Sequence, residues 1–175
     1  MRLVLLLICS GPFWVTAQQN VQWESFSFGK PELSLLIPGD VNPQNTNLPA
    51  DAKAFVEAYD AYYHKNGETG LVVTMMHAFY KDDVQADKLG AVEGTNNQWE
   101  ATGSRVVILS TTENKIASKS SVQQRGLLMN GGREYDYMDV VIVDGARIWQ
   151  VIVMIPSDDK SQQSVLRKII DSIKF

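Results

Sequence analysis

The sequence predicts an α+β fold, in which a meander of antiparallel strands is joined to a small number of helices. Two β-rich runs at the start, residues 23–28 and 33–37, are separated by Gly29-Lys30-Pro31. The C-terminal half repeats that grammar, with Asn130-Gly131 and Asp144-Gly145 as turn signals between apolar runs. A single helical stripe, Val165, Leu166, Ile169, Ile170 and Ile173, then closes the chain.

Taken in order, the first two runs read as an opening pair of strands, the second ended by Pro38-Gly39-Asp40. Residues 38–51, rich in Pro, Asn and Gly, read as a surface loop. Residues 52–64 support two readings. Ala52, Phe55, Val56, Tyr59, Tyr62 and Tyr63 fall at helical spacing, yet the aromatic density and the Asn66-Gly67 turn before residues 71–80 suit a hairpin. Asp82-Asp83 suits a helix start, and Val84, Leu89, Val92 and Trp99 mark its apolar stripe. Gly90 and Gly94 weaken that stripe, so one interrupted helix or two short ones are expected before Gly103. Residues 105–109 and part of 115–129 read as strands. Residues 133–143 and 148–155 form a hairpin around a type I′ Asp144-Gly145 turn. Both alternation phases of 148–155 are mostly apolar, which places that strand in the middle of the sheet. Ser157, followed by Asp158 and Asp159, is the expected cap of the last helix.

Composition narrows the function. The 175 residues carry 16 Lys+Arg against 20 Asp+Glu, a formal charge of −4, which argues against a nucleic-acid partner. The sole cysteine, Cys9, excludes a disulfide framework and any Cys-based zinc or iron–sulfur site. It lies in an apolar run, residues 3–9, that follows Arg2 and precedes Val15-Thr16-Ala17. That is the layout of a secretory signal peptide, with cleavage expected after Ala17. The run is far shorter than the ~20 residues needed to span a bilayer, so no stable membrane insertion is expected after cleavage. Residues 1–17 are thus expected to be a signal peptide and 18–175 a single domain.

Particular residues carry a family resemblance. Phe26-Ser27-Phe28 and Leu36-Ile37-Pro38, then Gly132-Arg133-Glu134-Tyr135, the strand at 147–153 and the ending Ile169-Ile170-Asp171-Ser172-Ile173-Lys174-Phe175 resemble the PsbP-like family. That family shares its fold with the Ran-binding Mog proteins. Ile173 departs from it, standing where an aromatic is common. The resemblance implies an antiparallel sheet with helices on both sides, an α/β/α sandwich. It also implies exported accessory or partner-binding work without catalysis.

Few residues offer chemistry. The histidines are His64, beside a turn and read as solvated, and His77, in a strand and read as an edge or partly buried residue. Neither belongs to an HExxH pattern. Gly131-Gly132 has no phosphate-loop spacing around it and reads as a tight turn. Glu134, Asp136 and Asp139 are the best carboxylate cluster; on a strand the first two share a face and Asp139 points the other way, and all three read as solvated. No catalytic residue, metal ligand or cofactor is assigned. Tyr59, Tyr62, Tyr63, Phe79 and Tyr80 are the group most suited to a partner surface, with ordinary core as the alternative. The expectation is an exported binding protein, periplasmic or secreted, whose partner is a protein or envelope component. The competing expectation is a small secreted hydrolase using His77 or His64 with a carboxylate such as Asp136.

Overall fold

The strand Arg147–Pro156 is buried along most of its length, as a run apolar on both faces should be. It is β9, the last strand, and the main sheet is organised around it. The computed structural model of the protein describes residues 22–45, 48, 50–81 and 84–175, apart from the side chains of Ala50 and Asp51. The expected signal peptide lies outside these residues.

The chain runs β1 (Glu24–Phe28), β2 (Leu33–Ile37), β3 (Asn42–Pro43), α1 (Ala50–Phe55), β4 (Val56–Lys65), β5 (Val72–Tyr80) and α2 (Lys88–Ala101). It continues through β6 (Arg105–Ile116), β7 (Lys119–Asn130), β8 (Arg133–Asp144) and β9 to α3 (Gln162–Asp171). Seven strands make one antiparallel sheet in the order β3-β4-β5-β9-β8-β7-β6, while β1 and β2 form a separate hairpin. The protein is therefore α+β with the sheet dominant and three short helices.

Alternate residues of β9 belong to two different cores. Trp149, Val151, Val153 and Ile155 pack with Leu33 and Leu35 of β2 and with Leu166 and Ile169 of α3. Ile148 packs instead with Ala78, Val122, Val141 and Val92 of α2. The stripe read on the last helix does bury Leu166, Ile169 and Ile173. The end of α3 is also stitched to β2: Leu36 N donates to Ser172 Oγ at 2.8 Å, and Ser34 and Lys174 exchange backbone hydrogen bonds.

The ambiguous stretch 52–64 is both things in turn. A helix carries it to Phe55, and from Val56 the pairing with β5 takes over, with a register shift between Val56 and Ala58. The loop expected at 38–51 contains β3, paired with Tyr62 and Tyr63. The helix expected from Asp82-Asp83, which lie outside the described residues, begins at Lys88. Asp87 is its cap, accepting from Leu89 N at 3.0 Å. It passes unbroken through Gly90 and Gly94, and the expected stripe fails at Leu89, which is exposed. The last helix starts at Gln162, beyond the expected cap Ser157.

Two turns refine the hairpin reading. Gly131 and Gly132 have φ of 57° and 78°, the two left-handed positions of a type I′ turn. At the next hairpin Asp144 pairs with Arg147, so the loop is Gly145-Ala146 and not Asp144-Gly145. Only its first residue has positive φ, as in a type II′ turn.

Candidate functional site

A groove of about 350 Å³ opens between α1, β4, β5, β9 and α2. Strand alternation builds its floor: Met76, Ala78 and Tyr80 share one face of β5, and Ile148 and Gln150 lie beside them in register on β9. Tyr59 faces Ala78 across the β4–β5 pair, and Phe55 at the end of α1 stands on the rim with 54% of its surface exposed. The α2 wall is made of Ala91, Gly94 and Thr95, small residues that leave the space open, with Gln98 beyond them. Burial, then the neighbouring Tyr59, raises the Tyr80 hydroxyl above its usual 10.

The five aromatics expected to form one contact surface are divided. Tyr59 and Tyr80 line the groove. Tyr62 points into the other core, its ring edge-on to Phe26 at 5.1 Å and to Phe28 at 6.2 Å. Phe79 lies under Arg147, whose guanidinium carbon is 4.5 Å from the ring centre. Tyr63 is exposed on β4, outside the groove lining. Neighbouring strand residues point to opposite faces, so Tyr62 and Tyr63, like Phe79 and Tyr80, cannot share a patch. Phe55 and Ile148 were missed because the groove is a meeting of segments distant in sequence.

Behind the groove α2 is tied to the sheet by polar side chains. Gln150 Nε2 donates to Thr95 Oγ1 at 2.9 Å and to Asp139 Oδ2 at 2.7 Å. Asn96 Nδ2 and the Tyr137 hydroxyl both donate to Gln124 Oε1, at 2.9 and 2.8 Å. Asp139 was expected to be solvated, but only 1% of it is exposed and its Oδ1 has no partner. Desolvation pushes its carboxyl up to about 7, against the opposing hydrogen bond from Gln150. The alternation was read correctly, but its second face is covered by α2 and not by water. Glu134 is exposed as expected. Asp136 is not fully solvated: its Oδ2 accepts from Gln163 of α3 at 2.7 Å, and Arg125 approaches Oδ1 at 3.9 Å.

The histidines depart further from expectation. His64 is 4% exposed, and its Nδ1 meets Asp40 O at 2.8 Å; the turn beside it leaves the ring under the loop after β2. His77 is 3% exposed in a strand internal to the sheet, its ring 5.2 Å from that of Trp149 and its Nδ1 3.6 Å from Asp60 Oδ2. Desolvation lowers His77 below its usual 6.5; Asp60 opposes the drop and Arg147 adds to it. A side chain at Gly29 would strike both His77 and Trp149, so the β1–β2 hairpin closes over this pair. Among the described residues no three His, Cys, Asp or Glu side chains gather in a metal-holding group, and no helix is long and apolar enough to cross a membrane.

No protein-family model matches the chain, and no curated protein matches it. Solved structures do. The solution structure of cyanobacterial PsbP (CyanoP) from Synechocystis sp. PCC 6803 superposes with a TM-score of 0.63 over 90% of this chain and 94% of that one, at 6% identity. The fold is PsbP-like. LpqN of Mycobacterium tuberculosis, described as involved in cell envelope biogenesis, superposes with a TM-score of 0.50 over 89% of this chain and 91% of its own, at 13% identity. Identities this low speak for the PsbP-like fold alone.

Proposed function

We propose that this PsbP-like chain is an exported, non-catalytic binding module of the cell envelope, and that the groove beside α2 is where it meets a protein or envelope component. The groove carries the reading: an open apolar channel with an exposed aromatic rim and a few polar side chains, Thr95 and Gln98 on the helix wall and Gln150 on the floor. The signal-peptide layout of residues 1–17 and the envelope role given to LpqN support the compartment. For the competing hydrolase reading, the carboxylate beside His77 is Asp60, His64 has its Nδ1 on the Asp40 carbonyl, and Asp136 is engaged by Gln163 and Arg125. His77 is sealed beneath the β1–β2 hairpin, which weighs against that route.

The test is affinity purification from the native envelope fraction with the exported protein. N-terminal sequencing of that protein should begin at or near Gln18, and an intact Met1 end would remove the export half of the proposal. A double variant, Phe55→Ser with Tyr59→Ala, should lose the recovered component while remaining folded. Glu134→Gln, on exposed surface away from the groove, should retain it. Equal recovery by both variants would mean that the groove is not the contact site.

A further inference from the structure

Helix α2 is held to the sheet by few apolar contacts. Val92 is its one fully buried apolar residue; the other buried position is the polar Asn96. Polar side chains fasten the helix: Asn96 bonds Gln124, and the amide of Gln150 bonds Thr95 on the helix and Asp139 on the sheet at once, while Trp99 adds a ring contact with Tyr137. Asp139 sits opposite Gln124 on β7 and Ile152 on β9, so the carboxyl is enclosed by strands on both sides and by α2 above.

We propose that Asp139 is a proton-operated latch for α2: with the proton on, the helix closes against the sheet, and with the proton off it lifts to let water reach the carboxylate. The surroundings leave an ionised Asp139 no alternative source of stabilisation. Oδ1 is buried without a partner, and Oδ2 has a single neutral amide. From β8 the titratable neighbour is Tyr137, whose hydroxyl is pushed up to about 12 by burial and by Asp139, so it stays neutral. From β7 and β9 the facing groups are Val122, Gln124, Gln150 and Ile152, and from α2 they are Thr95 and Asn96, none of them charged. Lys88, at the far end of α2, is bound to Glu113 at 2.7 Å and to Ser120 at 2.6 Å, and Glu93 and Glu100 are exposed. A buried carboxylate with no cation must either keep its proton or gain water. Water is gained most easily by moving the element with the weakest apolar hold.

The sign follows from the titration described above. The closed form holds the Asp139 proton up to about pH 7, whereas a hydrated carboxyl releases it near the usual 3.8. Closure is therefore strongest in acid and weakens by about tenfold per pH unit as pH rises between those values, levelling off above the upper one. The latch does not depend on a binding role for the groove. That it would alter access there, through Thr95 and Gln150, does rest on the function proposed above.

Hydrogen exchange on the whole exported protein tests it, with amide rates corrected for their intrinsic pH dependence. In wild type, protection of residues 92–99 should fall by about tenfold between about pH 5 and pH 6, while β8 and β9 stay protected. In Asp139→Asn the protection of the helix should be flat over that range. A flat wild-type profile, an equal fall in Asp139→Asn, or a fall shared equally by β8 and β9 would each overturn the latch. If Asp139→Asn does not fold, the carbon-13 shift of the wild-type Asp139 carboxyl decides. A midpoint near neutrality, with α2 protection lost on its acid side and level above it, supports the latch, and a midpoint near 4 removes it.

Discussion

Gly126→Ala is a substitution for which the structure predicts a heavy cost from a small change. Gly126 lies on β7 directly opposite Tyr137 of β8, a residue with none of its surface exposed. A methyl group there would sit 2.5 Å from Tyr137 Cε1, 2.6 Å from its hydroxyl oxygen and 2.5 Å from Val107 O. Ordinary carbon contacts are no closer than about 3.5 Å, so something must move by about 1 Å. Val107 O belongs to the backbone of β6 and can move only with the strand. Tyr137 can move only by leaving Gln124 and the ring of Trp99, whose centre is 5.0 Å away. Overpacking costs about 1–3 kcal/mol, and an unmade buried hydrogen bond costs about 1–3 kcal/mol. Against this, the reduced freedom of the unfolded chain returns about 0.4–1 kcal/mol. The expected net loss is about 2–4 kcal/mol. Urea denaturation followed by tryptophan fluorescence measures it, with Trp99 reporting on the Tyr137 contact. Gly94→Ala is the internal control: it has nothing within 4 Å and lies inside α2, so it should gain about 0.5–1 kcal/mol. If Gly126→Ala costs less than about 1 kcal/mol, the packing argument around Tyr137 is wrong.

Leu166→Ala should cost about 2–5 kcal/mol, because Leu166 is 3% exposed and, with Ile169, docks α3 on β2 and β9; a loss well below 1 kcal/mol in the same assay would place that face in water. His77 should make the protein acid-sensitive. Its proton is disfavoured in the folded state, so the stability it confers is present above 6.5 and lost as pH falls through the lower folded value. His77→Phe should therefore flatten the fall in urea midpoint on the acid side of 6.5, and an unchanged slope would assign that fall to other groups. This runs opposite to Asp139, so the two are separated by comparing each variant with wild type at every pH.

The strands of the C-terminal half were legible because each is bounded by a turn residue with one physical role. Gly131-Gly132 supplies two left-handed positions, and the doubly apolar 148–155 has only one comfortable place in a sheet. The end of the chain was legible for a similar reason, since Leu166, Ile169 and Ile173 recur at the three- and four-residue steps of a helix. Residues 52–64 resisted because two periodicities overlap there, and the switch at Val56 is set by pairing with β5, which no local pattern records. The length of β6 was hidden by Ser110, Thr111 and Thr112, which carry no apolar signal because they lie exposed on an edge strand. The candidate site was the least legible part. Tyr59 and Tyr80 were identified, but their neighbours Tyr62 and Phe79 belong to the opposite face. Asp139 and His64 were read as wet because covering by α2, or by the loop after β2, is a tertiary event.

The pairing of β5 with β9 has a consequence for the order in which the molecule is made. Strands β6 to β9 follow one another through short turns, so their contacts are local and inexpensive to form. Val72 must instead find Met154 across the whole of α2 and three intervening strands, a closure that topology makes slow. The groove straddles this seam, with Tyr59 and Tyr80 on the early side of the chain and Ile148 and Gln150 on the late side. A growing or half-folded chain therefore holds the ingredients of the groove without the groove itself. Under the function proposed above, recognition through it would be confined to finished molecules.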